Sequence, residues 1–326
     1  MTPDHPMIAR RHLYWKYWEP RADWDGSRSY VLTKDGAIVA HAALVPCECL
    51  HGGRRIRVIQ LIDWVARADV RGGGAAIIQH IAKLADAIVT ANGSEFAWRI
   101  LPFIGFKPSG TTVGQYARPI RPLLRLAGAR HFHWRLAPQL ARNMLWALQS
   151  PSFADGSWTA RRLERHELGR APIPWPSANA HTAVFERTLT AMTYLLSCPA
   201  APMEFYAAEQ QRSIRGYFVL TLVPAQARIA DVWADSDDPS DWRAVLHLAV
   251  QQAKSKRGVA EVVAIASDPL LDGALRACGF HRRATRPLLI RAESGTLAPE
   301  PPPSIRVQML DDDSAYLHDG TNSFWA

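Results

Sequence analysis

The chain has 326 residues, of which 48% are hydrophobic and 21% charged; this excludes a mostly disordered chain, and at roughly 100–200 residues per domain it suggests two folded domains. There is no apolar run of the roughly 18 residues needed to cross a bilayer, no basic-then-apolar secretory signal at the start, and four cysteines do not make a disulfide framework, so a reducing cytoplasm is the expected compartment. The formal charge of +8 suits an anionic partner such as nucleic acid, phospholipid or a phosphorylated cofactor, or belongs to a soluble Arg-rich chain with no special partner, since the arginines are spread and form no basic block. In chain order, Leu13, Tyr14, Tyr17 and Trp18 recur at helical spacing within residues 7–25, and Pro20 stops that helix. Apolar runs on either side of Lys34-Asp35-Gly36, the second covering residues 37–45, read as a β-hairpin. After His51-Gly52-Gly53, residues 56–66 read as a long strand. Asp69-Val70-Arg71-Gly72-Gly73-Gly74 then opens an amphipathic helix over residues 75–87, and residues 88–91 read as a buried strand. Ser94 caps a further helix that runs to Ile104 and is bent by Pro102; Gly105-Phe106 closes the unit, and residues 111–117 form its last strand.

These elements divide the chain into a unit over residues 1–125, a connector over 126–157 with a helix at 138–148, a second unit over 158–298, and a Pro-rich linker and tail over 299–326. In the second unit, residues 183–196 read as a helix, 204–208, 216–222 and 228–233 as strands, 242–256 as a helix, 260–265 as a strand, and 269–277 as a helix closed by Gly279-Phe280. The two units resemble each other. Leu61-Ile62-Asp63-Trp64-Val65-Ala66 aligns with Ile229-Ala230-Asp231-Val232-Trp233-Ala234, and in each a helix, a short strand and a short helix ending in Gly-Phe follow.

The chemically informative stretch is the glycine turn. Glycines let the backbone approach an anion closely, and the following helix N-terminus adds unpaired amides and positive dipole, with Arg71 adding a full charge. Such a turn cradles a pyrophosphate, or it is an ordinary flexible helix start. It is neither a P-loop, which needs Gly-Lys-Ser/Thr, nor the Gly-x-Gly-x-x-Gly dinucleotide fingerprint. Arg71-Gly72-Gly73-Gly74-Ala75-Ala76 resembles the Arg/Gln-x-x-Gly-x-Gly/Ala signature of the GNAT superfamily of N-acetyltransferases, and the order of elements over residues 8–117 is similar to that family. The second unit also looks GNAT-like but departs at the same place. There it reads Ser236-Asp237-Asp238-Pro239-Ser240-Asp241, whose carboxylates repel a pyrophosphate and whose proline lacks an amide donor.

The resemblance implies an α/β chain of two tandem GNAT-like domains, each a central, mostly antiparallel sheet flanked by helices. The first would be the working acyl-CoA-binding copy and the second a degenerate one. The activity it implies is transfer of an acyl group from acetyl-CoA or another acyl-CoA to the amine of a small molecule or polymer. Arg71, Gly72, Gly73, Gly74, Ala75 and Ala76 would hold the pyrophosphate, and the pantetheine arm would pair with backbone near Val65 and Ala66, beside a splay or bulge. Asp63 is a candidate base if burial raises its pKa from about 3.9, or else a hydrogen-bonded structural acid, as its aligned partner Asp231 suggests. His41, on the neighbouring strand, is a second candidate base. Trp15, Tyr17 and Trp18 would line the acceptor pocket. The tyrosine with which the family often protonates the leaving thiolate is replaced by Leu101, and by Leu275 in the second copy; Tyr116 is near in sequence but on another element. Two alternatives stay open: an aminoacyl-tRNA-dependent transferase similar to the FemABX group, in which the positive charge would serve RNA, and a catalytically inactive CoA-binding protein.

Other features point less clearly. Cys47-Glu48-Cys49-Leu50-His51 reads as a metal clip without a second ligand pair, or as core, and no metal is expected. Cys278 reads as packing, and His131-Phe132-His133-Trp134 as an exposed connector or a substrate contact.

Overall fold

The computed structural model describes residues 5–124, 136–148, 151, 157–178, 182–292 and 304–320. Helix α1 (Arg10–Tyr17) precedes the hairpin of β1 (Ser29–Lys34) and β2 (Ala37–His51). Asp35 and Gly36 both have positive φ, 51° and 76°, the turn geometry that matches strand twist. Then come β3 (Arg54–Ala66), α2 (Gly73–Ile81), β4 (Ala87–Thr90), α3 (Glu95–Ile100) with a 3-10 turn (Leu101–Ile104), and β5 (Lys107–Pro119). Ser94 caps α3 by accepting from the Ala97 amide, as its sequence position suggests. Helix α2 ends at Ile81, earlier than its apolar periodicity predicts. Asp86 turns the chain back onto β3, its amide donating to the Arg57 carbonyl and its carboxylate accepting from the Arg57 amide.

Helix α4 (Leu136–Leu148) leads to β6 (Trp158–Leu163), β7 (Thr182–Phe185), α5 (Leu189–Leu195), β8 (Met203–Gln210), β9 (Ser213–Val223), β10 (Gln226–Ala234), α6 (Pro239–Ser255), β11 (Glu261–Ala266), α7 (Pro269–Ala277), β12 (His281–Ala292) and β13 (Ser304–Arg306). The reading of 183–196 as one helix is corrected. Its first part is the strand β7, which pairs with β2 through Cys49 and Leu50 and with β13, and Thr188 caps the shorter α5. His131-Phe132-His133-Trp134 lies outside the described residues.

The described strands form one mixed, largely antiparallel sheet in the order β13-β7-β2-β3-β4-β12-β5-β11-β10-β9-β8-β6, with β1 on β2, flanked by helices. The order holds an exchange. β12, late in the chain, inserts between β4 and β5, while β5 reaches across to pair with β11. Each half of the molecule is thus completed by a strand from the other. One apolar core joins α2 to the sheet through Leu44, Ile59, Ile77, Ile78 and Ile81. The larger core, on the opposite side of β3 and β4, runs from Trp15 through β8–β11 and takes in Ile305, Val307, Met309 and Leu310 of the C-terminal segment. No helix among the described residues is long and apolar enough to cross a membrane.

Candidate functional site: the open edge of β3

Strands β3 and β4 pair only at Val58, Ile59 and Gln60. Beyond Gln60, β3 continues through residues 61–66 past the end of β4, with no strand on that side among the described residues, which leaves that edge of β3 without a strand partner. On its other side β3 stays paired to β2, but the register slips. His41 faces Val65 and Ala43 faces Ile62, so Asp63 and Trp64 together oppose Ala42. This is a β-bulge, and Asp63 occupies the left-handed region at φ 48°, a costly conformation for a non-glycine residue. Val65, 61% exposed, and Ala66 follow at the open edge.

The strand leads into the glycine turn. Gly72 has φ 78° and caps α2, and a Cβ placed there meets nothing within 4 Å. Gly73 is buried, whereas a Cβ on Gly74 comes to 3.2 Å from the Trp64 ring, whose indole N–H donates to the Gly74 carbonyl at 3.2 Å. Gly74 therefore seats the helix on β3, while Gly72 supplies the turn. The amides of Gly74 and Ala75 have no main-chain acceptor among the described residues, as expected for a first helical turn. Arg71 is exposed and forms no ion pair among the described residues, and Ala76 is exposed beside it. The corner is exposed at Arg71, Gly72 and Ala76; the amides of Gly73 and Ala76 already donate to the Val70 and Gly72 carbonyls, which leaves those of Gly74 and Ala75 without a main-chain acceptor among the described residues.

At the bulge, side chains from five parts of the chain converge. Lys16 of α1, 7% exposed, reaches Asp63 at 2.5 Å and Asp313 at 3.1 Å. The Tyr17 hydroxyl donates to Asp63 at 2.7 Å. Burial alone would raise the pKa of Asp63, but Lys16 and then Tyr17 outweigh it and hold the carboxyl below its usual range. The condition under which Asp63 would serve as a base, a pKa raised by burial, is not met; its carboxyl is paired with Lys16 and Tyr17. Burial also disfavours charge on Lys16, yet Asp313 and then Asp63 more than compensate and raise its pKa. His41 has Nδ1 3.1 Å from the Asp63 carbonyl and Nε2 3.0 Å from the Ser29 hydroxyl. A carbonyl only accepts, so Nδ1 is the donor to Asp63, and Nε2 is the ring atom that faces the Ser29 hydroxyl.

Of the aromatic residues singled out from sequence, Tyr17 joins this network and Trp18 is 58% exposed beside it. Trp15 borders only a small cavity that it shares with Lys16, Arg28 and Tyr194. It is 3% exposed, stacks on Tyr194 at 5.0 Å, and donates to Ser197 and the Tyr194 carbonyl. Leu101, Leu275 and Tyr116 are buried. Cys49 and Cys278 lie in the larger core and Cys47 packs against it, and burial raises the thiol pKa of all three. Sequence reasoning missed Lys16, Ser29 and Asp313. Lys16 stands between the aromatics of α1, a signal that was available; Asp313 is 250 residues from Asp63 and gave none.

In the second half the same strand geometry recurs. β10 and β11 pair only at Gln226, Ala227 and Arg228, and β10 slips register against β9 around Ala230, next to Asp231. Asp231 is fully buried and receives both Nε and Nη2 of Arg187 at 2.9 Å and the Tyr217 hydroxyl at 2.8 Å; Arg187 also binds Asp311 at 2.6 Å.

No family model matches the chain, and no curated protein matches it in sequence. Its fold is shared with solved structures. A GCN5-related N-acetyltransferase from Anabaena variabilis matches with a TM-score of 0.54 at 11% identity, over 89% of this chain and 68% of that one. A protein of unknown function from Enterococcus faecalis, described as a probable N-acyltransferase, matches at 0.51 and 12%, over 81% of this chain and 61% of that one, so this chain spans less than two thirds of its length. Saccharomyces cerevisiae N-myristoyltransferase, solved with myristoyl-CoA and inhibitors, matches at 0.53 and 12%, over 86% and 71%. At such identities the likeness is one of fold, and that fold is the GNAT type.

Proposed function

We propose that the chain is an acyl-CoA-dependent N-acyltransferase whose single working cleft is the open edge of β3. The observation that carries this reading is the continuity of three features on one stretch of chain: unpaired strand backbone over residues 61–66, a bulge at Asp63, and an open glycine turn with Arg71 at the start of α2. The residues fit the ligand in order. Amide groups of the pantetheine arm find main-chain partners near Val65 and Ala66, and the pyrophosphate meets the amides of Gly74 and Ala75 and the Arg71 guanidinium at the turn formed by residues 71–76. Residues 1–125 and 158–298 are then two tandem units, the second a degenerate copy.

The acceptor arrives as an ammonium ion. The half-exposed Asp63 carboxylate, fixed by Lys16 and Tyr17, attracts and orients it. A proton must leave before attack, and the His41 Nε2 lone pair, reached through the Ser29 hydroxyl or a water, is placed to take it. The freed amine attacks the thioester carbonyl carbon, and a bulge amide of β3 faces the developing oxyanion. The C–S bond then breaks, giving an amide and the CoA thiolate. A thiol of pKa about 8.5 leaves readily as its anion, so the leucine at position 101 does not block turnover.

Calorimetry with acetyl-CoA and a thiol-release assay with mixed amines test the proposal. Wild-type chain binds and releases thiol, and Arg71→Glu loses about 100-fold in affinity, or about 2.7 kcal/mol, with its fold intact. Unchanged affinity in Arg71→Glu refutes the cleft assignment, and CoA binding without turnover favours the inactive binder.

A further inference from the structure

The second half of the molecule has the same splayed strands, yet its opening is filled. Every residue from 305 to 316 is buried, although the segment contains four charged residues, Arg306, Asp311, Asp312 and Asp313. The segment lies against β10 just where that strand has parted from β11. Gln308 spans the gap: the Val232 amide donates to its Oε1 at 2.8 Å, and its Nε2 donates to the Val232 carbonyl at 3.0 Å. One side-chain carboxamide thereby makes both hydrogen bonds that a neighbouring strand, or an amide-bearing ligand arm, would make with Val232. The segment is fastened on both sides of this contact. Arg306 binds Asp268 through two nitrogens, at 2.9 and 3.1 Å, and lies over the rings of Trp233 and Trp242. The Ser267 hydroxyl donates to the Ile305 carbonyl and accepts from the Val307 amide. Arg228 of β10 donates to the Ser314 carbonyl at 2.7 Å. Ile305, Val307 and Met309 fill the apolar space between.

We infer that the second cleft is a polypeptide groove occupied in cis by residues 304–320, and that it binds no acyl-CoA. The inference deepens the proposed function, on which its second half rests, by limiting each chain to one thioester. The entrance agrees with it. Asp235, Ser236 and Asp237 stand beside Trp233, Trp242 and Arg306 where the first cleft carries Arg71 and three glycines. A pyrophosphate there would meet carboxylates, and an arm following β10 would first have to expel Gln308 and its neighbours.

Hydrogen–deuterium exchange on the full chain, with and without saturating acetyl-CoA, tests this. Residues 229–234 and 305–314 should be strongly protected in both conditions and unchanged by the ligand, while residues 61–66 and 73–76 gain protection only when it is present. Ligand-induced exposure of 305–314, ligand-induced protection of 229–234, or fast exchange of 305–314 in the free chain would each overturn the inference. If the ligand changes nothing anywhere, the acyltransferase reading fails, and protection of 305–314 still decides whether the groove is filled. Gln308→Ala should speed exchange at Val232 at least tenfold without altering residues 61–66; no change at Val232 removes Gln308 as the groove's ligand.

Discussion

The two splayed clefts differ most in how each holds its aspartate. Asp63 lies at an open edge with its side chain 30% exposed, shares Lys16 with Asp313, and has His41 beside it. Asp231 is sealed, with Arg187, Tyr217 and Asp311 around it and Gln308 across the strand. The register makes the contrast sharper: His41 faces Val65 as Tyr217 faces Trp233, so a half-buried imidazole in one cleft is replaced by a phenol bound to a buried carboxylate in the other. The C-terminal segment serves both, giving Asp313 to the open cleft and Asp311 to the closed one. A bulged strand thus holds a partly solvated carboxylate in one half and a sealed ion pair in the other.

Paired substitutions test this contrast most severely. Asp231→Asn should cost about 3 kcal/mol in urea denaturation, because the Arg187 guanidinium is left buried with only Asp311 to balance it. Asp63→Asn should change stability by less than about 1 kcal/mol, since Lys16 keeps Asp313 and the site is partly solvated, yet slow thiol release at least tenfold with acetyl-CoA affinity unchanged. Equal stability losses would erase the distinction between the clefts.

Glycines offer a second comparison. A Cβ on Gly216, in β9, comes to 2.4 Å from the Trp233 carbonyl oxygen, so Gly216→Ala should destabilise by about 2–3 kcal/mol. At Gly72 there is open space and only the positive φ to offend, so Gly72→Ala should cost about 1 kcal/mol. Denaturation midpoints check both.

The smallest effect lies at the seam between the halves. His12 is buried between Trp15 and Tyr316, neither ring nitrogen has a hydrogen-bond partner among the described residues, and burial, then Lys16, lower its pKa to about 4. The folded chain therefore binds fewer protons than the unfolded chain between pH 6.5 and about 4, and stability is lost as pH falls through that range. His12→Leu should add about 1 kcal/mol at pH 7 and flatten this loss; a thermal melt series from pH 7 to 4.5 reads both.

Local signals were legible wherever the chain's own neighbours decide the structure. Helix α7 was placed at both ends because Asp268 caps it and Pro269 opens it, and the Asp35-Gly36 turn fixed the first hairpin. The glycine turn was readable for the same reason, whereas the bulge in β3 was implied only by the family resemblance. What escaped was set by distant partners. β7 is four residues long and exists only because β2 and β13 lie beside it, so its apolar residues merged with those of α5. β12 was not read at all, since its partners are nearly 200 residues upstream. The triple aspartate at 311–313 reads as solvent-facing by composition, but Arg187 and Lys16 draw two of the three inward. The alternation of Ile305, Val307 and Met309 with Arg306 and Gln308 was a period-two pattern that marked this segment as extended.

The exchange of β5 and β12 has a consequence for biosynthesis. β4, which forms one wall of the open cleft, pairs on its far side with residues 289–292, and these emerge from the ribosome some 200 residues after β4 itself. A nascent chain halted in the second unit therefore presents β4 and β5 with bare, adhesive edges. Completion of the sheet around the first cleft waits for translation of the second half, and a chain truncated before β12 should expose these edges and aggregate.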